Sequence, residues 1–317
     1  MNAKPVYAFA FALVISALAA EPGMASHANP EARVSERTTS HGFSALVFSK
    51  TVGFRHESIP AGIAAIEALG IEHDFDITST EDASVFNETS LASYDVVIFL
   101  NTTGDVLNTD QQQAMESFLA AGKGFVGIHS AADTEYGWDW YADVVGAYFD
   151  NHPEIQPAEL LVEDRVHPAT AQLPARWQRT DEWYAFRTNP RDDVHVLISL
   201  NEASYSGGTM GADHPWAWCS EVEGGRSFYT NGGHTSDSFS EPDFLAHLLG
   251  GIEWAAGAQS GDCGASIKEN LEKTILDDTT QNPMDLVVLP SGDVLFLERA
   301  GQVRLISQET GITSTAL

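Results

Sequence analysis

Between residues 45 and 128, short apolar runs alternate with helix-spaced ones, and this alternation constrains the fold more than any other feature of the chain. Residues 45–49 fit a buried strand. Residues 58–69 follow with Ile59, Ile63, Ile66 and Leu69 on one helical face before Gly70. Residues 72–77 and 94–100 supply a second and a third strand. Thr109 with Gln112 reads as a capping box, Met115, Phe118 and Leu119 give the next helix its apolar stripe, and Gly122 ends it. Residues 124–128 are then a fourth strand. Strands alternating with helices at this spacing predict an α/β fold, a doubly wound and mostly parallel sheet with helices on both faces.

In open α/β sheets, ligands bind beyond the carboxyl ends of the strands, so polar residues at the end of an apolar run are site candidates. Two segments qualify: residues 124–133, which end on His129 and Asp133, and residues 229–234, which carry Asn231 and His234 behind two glycines. Residues 142–149 read as a helix, 160–162 and 194–200 as strands, 222–226 as a hairpin turn, and 244–256 as a closing helix. A domain over residues 42–256 is expected, then a small polar linker over 257–274. Residues 275–317 read as a short β-meander, too small to bury its own faces and resembling one blade of a propeller cut from a longer parent.

The other end of the chain reads as processing sequence. Lys4 and the apolar run that follows predict a signal peptide over residues 1–25, and residues 26–41 a disordered leader, so a periplasmic or secreted protein with no membrane span after processing is expected. Acidic residues outnumber basic ones 45 to 16, for a formal charge of −29, which repels nucleic acid and anionic lipid. Cys219 and Cys263 are the only cysteines. They exclude a disulfide framework and a four-cysteine zinc site, and leave one disulfide or two free thiols open.

Gly53-Phe-Arg-His56 with Ser58, Leu100-Asn-Thr-Thr-Gly104, residues 124–134, Asp181-Glu-Trp-Tyr184, His214-Pro-Trp-Ala-Trp218 and residues 225–234 together resemble the ThuA-like (trehalose-utilisation) family. That resemblance implies the class I glutamine amidotransferase-like, flavodoxin-type fold. The tail resembles the opening blade of a glucose/sorbosone dehydrogenase-type quinoprotein propeller. In the amidotransferase branch a cysteine nucleophile sits on the strand-to-helix elbow, where this chain has His129. Glutamine amidotransfer is therefore not expected, because an imidazole cannot supply the attacking thiolate.

The resemblance implies a carbohydrate ligand, and an enzyme performing elimination, isomerisation or hydrolysis on a keto-glycoside or related sugar. Such chemistry needs a base, an acid for the leaving oxygen and a group to hold the enolate. The candidates are His129 or Asp133 as base, Glu182 or His234 as acid, and Arg55 with His56 as oxyanion binders. Trp183, Tyr184 and Asn231 would contact substrate. Each has a plainer reading: His129 and Asp133 as a helix cap, Arg55 in a surface ion pair, Trp183 in the core, and His152 and His214 fixed by the prolines that follow them. His129, His152 and His234 are candidate ligands of a divalent metal, and no other cofactor is indicated. The alternative is a non-catalytic glycan-binding module beside a propeller dehydrogenase, with Trp138, Trp140, Trp183 and Tyr184 stacking on sugar rings.

Overall fold

The computed structural model describes residues 42–263, 283–289, 293–307, 310 and 312–315; the signal-peptide and leader readings and most of the expected linker lie outside these residues. The elements run β1 (Ser44–Phe48), α1 (Ile59–His73), β2 (Asp76–Thr80), α2 (Glu88–Leu91), β3 (Val96–Leu100), α3 (Thr109–Ala120), β4 (Gly124–Ile128) and α4 (Asp139–Val145). They continue with β5 (Phe149–Asn151), β6 (Gln156–Val162), β7 (Arg176–Asp181), β8 (Ala185–Phe186), β9 (His195–Leu200), β10 (Pro215–Val222), β11 (Gly225–Thr230) and α5 (Pro242–Ala255). After these come β12 (Pro283–Val288), β13 (Val294–Glu298), β14 (Val303–Ile306) and β15 (Thr313–Thr315).

Nine strands form one sheet in the order β2-β1-β3-β4-β11-β10-β9-β6-β7. Pairing is parallel from β2 to β11 and antiparallel from β11 to β7. This is the flavodoxin-like α/β fold with an antiparallel extension. Alternate residues of β3 show why both faces need cover: Val96, Ile98 and Leu100 enter a core with Ile66 of α1 and Leu248 and Ile252 of α5, while Val97 and Phe99 enter another with Met115 and Phe118 of α3 and Tyr141 of α4. All five β3 residues are buried, each apolar side chain stabilising the fold by about 1.5–3 kcal/mol.

Several boundaries differ from the sequence reading for identifiable reasons. Gly70 does not end α1, which runs on to a left-handed cap at Asp74 (φ 60°). The glycine is there because a Cβ would stand 2.8 Å from the Phe75 carbonyl oxygen. The second strand accordingly starts at Asp76 and not at residue 72. The capping box of α3 is Asn108 with Gln111, one residue earlier than expected, with both reciprocal bonds formed. Residues 142–149 divide between the end of α4 and β5.

The expected linker is anchored where it is described. Cys263 is buried and disulfide-bonded to Cys219 of β10, and Trp254 Nε1 donates to the Gly261 carbonyl oxygen at 3.1 Å. Beyond it, β12 to β15 form their own four-stranded antiparallel sheet, in agreement with the expected meander. Among the described residues, no helix is long and apolar enough to cross a membrane.

Candidate functional site

The ends of three strands and one loop converge on a buried cluster. His129 follows β4 directly, Glu182 follows β7, His234 lies just beyond β11, and His56 stands in the loop between β1 and α1. In the sheet, β10, β9 and β6 separate β11 from β7. Four ladder steps at about 4.8 Å would put the ends of β11 and β7 about 19 Å apart in a flat sheet. Yet Asp181 Oδ2 accepts from Gly233 N at 2.9 Å and from Ser238 Oγ at 2.9 Å. The antiparallel half therefore coils back and delivers Glu182 to the ends of the parallel strands.

Backbone detail fixes the other members. His129 occupies the left-handed region (φ 50°) at the strand-to-helix elbow, and Tyr229 Oη donates to its carbonyl oxygen at 2.9 Å. Such strain in a non-glycine residue persists only where the surroundings impose it. Gly233 takes φ 112°, open to glycine, and its carbonyl oxygen accepts from Ser58 Oγ (2.9 Å) and Asn101 Nδ2 (3.0 Å). The loops after β1, β3 and β11 are thereby tied together beneath His56 and His234.

Within the cluster, His129 Nε2 lies 3.2 Å from His234 Nδ1 and 3.5 Å from Glu182 Oε2, and His234 Nδ1 lies 3.1 Å from that same oxygen. The other carboxylate oxygen, Oε1, is 3.0 Å from His152 Nδ1. His56 stands edge-on to the rings of His129 and His234, with centroids 4.8 and 4.9 Å away, and its Nδ1 meets Ser130 Oγ at 3.3 Å. One ligand-capable atom from each of His56, His129, Glu182 and His234 lies within 4.8 Å of all the others. A second grouping, His167 with Cys219 and Cys263, has both sulfurs committed to the disulfide.

The environment separates the protonation states. Burial would raise the Glu182 carboxyl, but the imidazoles of His129 and His234 beside it outweigh that and hold the group well below the usual carboxylate range. Burial opposes the charge on His234, and its contact with Glu182 overcomes that, so its pKa is raised. Burial, with His129 and His234 alongside, depresses His56 to about 2, leaving it neutral. The side chains of His129 and Glu182 are 0% and 7% exposed, those of His234 and His152 20% and 42%. The two more exposed imidazoles are thus the groups a ligand can reach, each with its Nδ1 on one oxygen of Glu182.

Other expected site residues lie elsewhere. Asp133 Oδ1 accepts from Tyr136 Oη at 2.6 Å, outside the cluster. Arg55 makes a 2.6 Å ion pair with Glu81 in an exposed loop. Trp183 is fully buried with Nε1 donating to the Gln156 carbonyl oxygen, so it offers no face to a sugar. Tyr184 is buried against the His129 ring at 4.1 Å. Asn231 is also buried; its carbonyl oxygen accepts from His129 Nδ1 at 2.8 Å and its side-chain amide donates to the Tyr184 carbonyl oxygen. His214 bridges Glu202 and the Tyr184 carbonyl oxygen inside the protein. Trp138 is buried too, which leaves Trp140 as the one partly open face of the four aromatics a glycan-binding module would need. Ser58, Asn101, Ser130 and Asp181, which position the cluster, were not singled out for that role in the sequence; only their partners across the fold reveal it.

A family model described as trehalose utilisation (ThuA) matches residues 44–255. Among solved structures, a ThuA-like protein from Bacteroides uniformis is 26% identical, with a TM-score of 0.58, over 67% of this chain and 91% of its own. A ThuA-like protein from Parabacteroides merdae shares the fold at 17% identity, with a TM-score of 0.59, over 70% of this chain and 92% of its own. No curated protein matches the chain.

Proposed function

The chain belongs to the ThuA (trehalose-utilisation) family, and we propose that this domain carries out acid/base chemistry on a carbohydrate, with a keto-glycoside as substrate. The observation that carries the reading is the carboxylate of Glu182 held between two partly exposed imidazoles, His152 on Oε1 and His234 on Oε2. A carboxylate that accepts from Nδ1 of a histidine fixes the ring and leaves Nε2 directed outward. Environments that push neighbouring titratable groups apart set up an acid and a base in one site.

A ketone acidifies the C–H on the carbon beside it. His152, the more exposed ring, takes that proton. The electron pair forms the new C=C bond as the C–O bond one carbon further on breaks, and the departing oxygen takes a proton from His234, whose pKa is raised by its contact with Glu182. Glu182 aligns His234, His152 Nδ1 is held between Glu182 Oε1 (3.0 Å) and the Pro153 carbonyl oxygen (2.9 Å), and His129 and His56 form the wall behind them. Asp133, held by Tyr136, has no part in this scheme.

The test is product formation. The domain should convert a keto-disaccharide and leave the parent disaccharide intact, and His152→Ala and His234→Asn should each slow turnover by about 10²-fold or more. Full turnover in both variants would overturn the assignment.

Export belongs to the same proposal and is supported by the disulfide, since such bonds persist in oxidising compartments. The left-handed elbow at His129 supports kinship with the amidotransferase-like fold, and the four-stranded antiparallel sheet of β12–β15 supports its reading as a propeller blade.

A further inference from the structure

Glu182 Oε2, His129 Nε2 and His234 Nδ1 form a triangle with edges of 3.1, 3.2 and 3.5 Å. Hydrogen bonds alone explain such a triangle poorly. His129 Nδ1 must donate to the Asn231 carbonyl oxygen, which can only accept, so in the neutral ring Nε2 is a lone pair facing a carboxylate oxygen. His234 Nδ1 has one proton for both acceptors, and N–H···O bonds weaken steeply below about 120°.

A cation fits where one proton does not. A tetrahedral ion with bonds of about 2.0 Å to nitrogen and oxygen has ligand-to-ligand edges of about 3.3 Å, close to the three observed. His56 supplies a fourth position: its Nδ1 is taken by Ser130 Oγ, which leaves Nε2 for the cluster, and its ligand atom lies within 4.8 Å of the others. We propose that His56, His129, Glu182 and His234 bind one divalent transition-metal ion of the zinc class.

Three imidazoles and one carboxylate suit zinc-like ions, whereas magnesium and calcium prefer oxygen. The outer partners that metal-binding histidines require are also in place. Asn231 holds His129, Ser130 holds His56, and His152 holds the second oxygen of Glu182. Four protein ligands make a closed site that fixes geometry and offers no open coordination position. An ion on Nδ1 of His234 would take the place of the proton that nitrogen otherwise shares with Glu182, and the acid for the departing oxygen would then be the polarised Nε2–H of the metal-bound ring. The inference deepens the acid/base reading, yet the binding site stands on geometry alone.

The test is metal uptake by the full chain in non-reducing buffer, which keeps the disulfide closed. After chelator treatment and dialysis, the protein is titrated with Zn²⁺ and with Co²⁺, whose visible spectrum reports tetrahedral coordination. One ion per chain and a tetrahedral Co²⁺ spectrum are expected. His234→Asn, at the partly exposed ligand, and Glu182→Gln should each weaken binding beyond the roughly 10–100-fold that loss of an outer partner costs. Circular dichroism checks that both are folded, and a rise in wild-type melting temperature with Zn²⁺ gives a readout independent of the variants. No stoichiometric uptake, or undiminished uptake in both folded variants, overturns the site. Turnover of a keto-sugar by protein that takes up no metal overturns it as well, whereas uptake without turnover supports the site and removes only the sugar chemistry.

Discussion

A histidine buried without charge ties stability to pH, and His247 is the clearest instance here. Its Nδ1 donates to the Ala169 carbonyl oxygen at 2.8 Å, Nε2 meets Thr230 Oγ1 at 3.1 Å, and burial, with Arg179 and His167 nearby, lowers its pKa to about 3. The unfolded chain would protonate this ring near 6.5, so between about 6.5 and 3 the unfolded state holds more protons. Its stabilising contribution is complete above that window and is lost as pH falls through it, by up to about 1.4 kcal/mol per pH unit. Urea denaturation from pH 7 to pH 4 should show this slope, and His247→Gln should remove about one proton's worth of it; an unchanged slope in the variant would refute the assignment. At this scale the sequence revealed His129 and His234 because each ends or follows an apolar run. It could not place Arg55, whose partner Glu81 is distant in the chain, or Trp183, whose burial depends on β6 packing beside it.

The end of β7 couples two elements that the ladder order holds apart. Asp181 is fully buried, pairs with Arg179 at 3.1 Å and accepts from Gly233 N and Ser238 Oγ. Removing one partner of a buried ion pair typically costs about 3–5 kcal/mol. Asp181→Ala should lose about that much in denaturant unfolding and slow turnover as well, because the backbone just before His234 is released; a loss below about 1 kcal/mol would mean that β7 is held by other contacts. Elements with a clear period were readable from sequence: β3 and β4 as five-residue apolar runs, the hairpin at residues 222–226, and α5. The antiparallel return through β10, β9, β6 and β7 was not. The alternation of β6 and β7 specifies which side is buried, but not that the sheet coils far enough to bring Glu182 onto His129.

For the whole molecule, the question is where the folded domain ends. Small polar residues place the boundary at 257, but the disulfide moves it past Cys263, since that bond closes a 44-residue separation back onto β10. Closing a loop of this length stabilises a fold by about 2–4 kcal/mol, mainly by restricting the unfolded chain. The sheet of β12–β15 pairs only within itself among the described residues, and Val287 and Val288 are exposed on it. Two shortened chains separate these contributions. One ending after Cys263 keeps the disulfide and should melt within a degree or two of the full chain, by the usual scaling of about 2–4 °C per kcal/mol for a domain of this size. One ending after Gly257 loses the bond and should melt about 5–15 °C lower under non-reducing conditions, a gap that reductant closes. If the first chain melts as low as the second, then the β12–β15 sheet is an integral layer of the domain and the boundary at Cys263 is wrong.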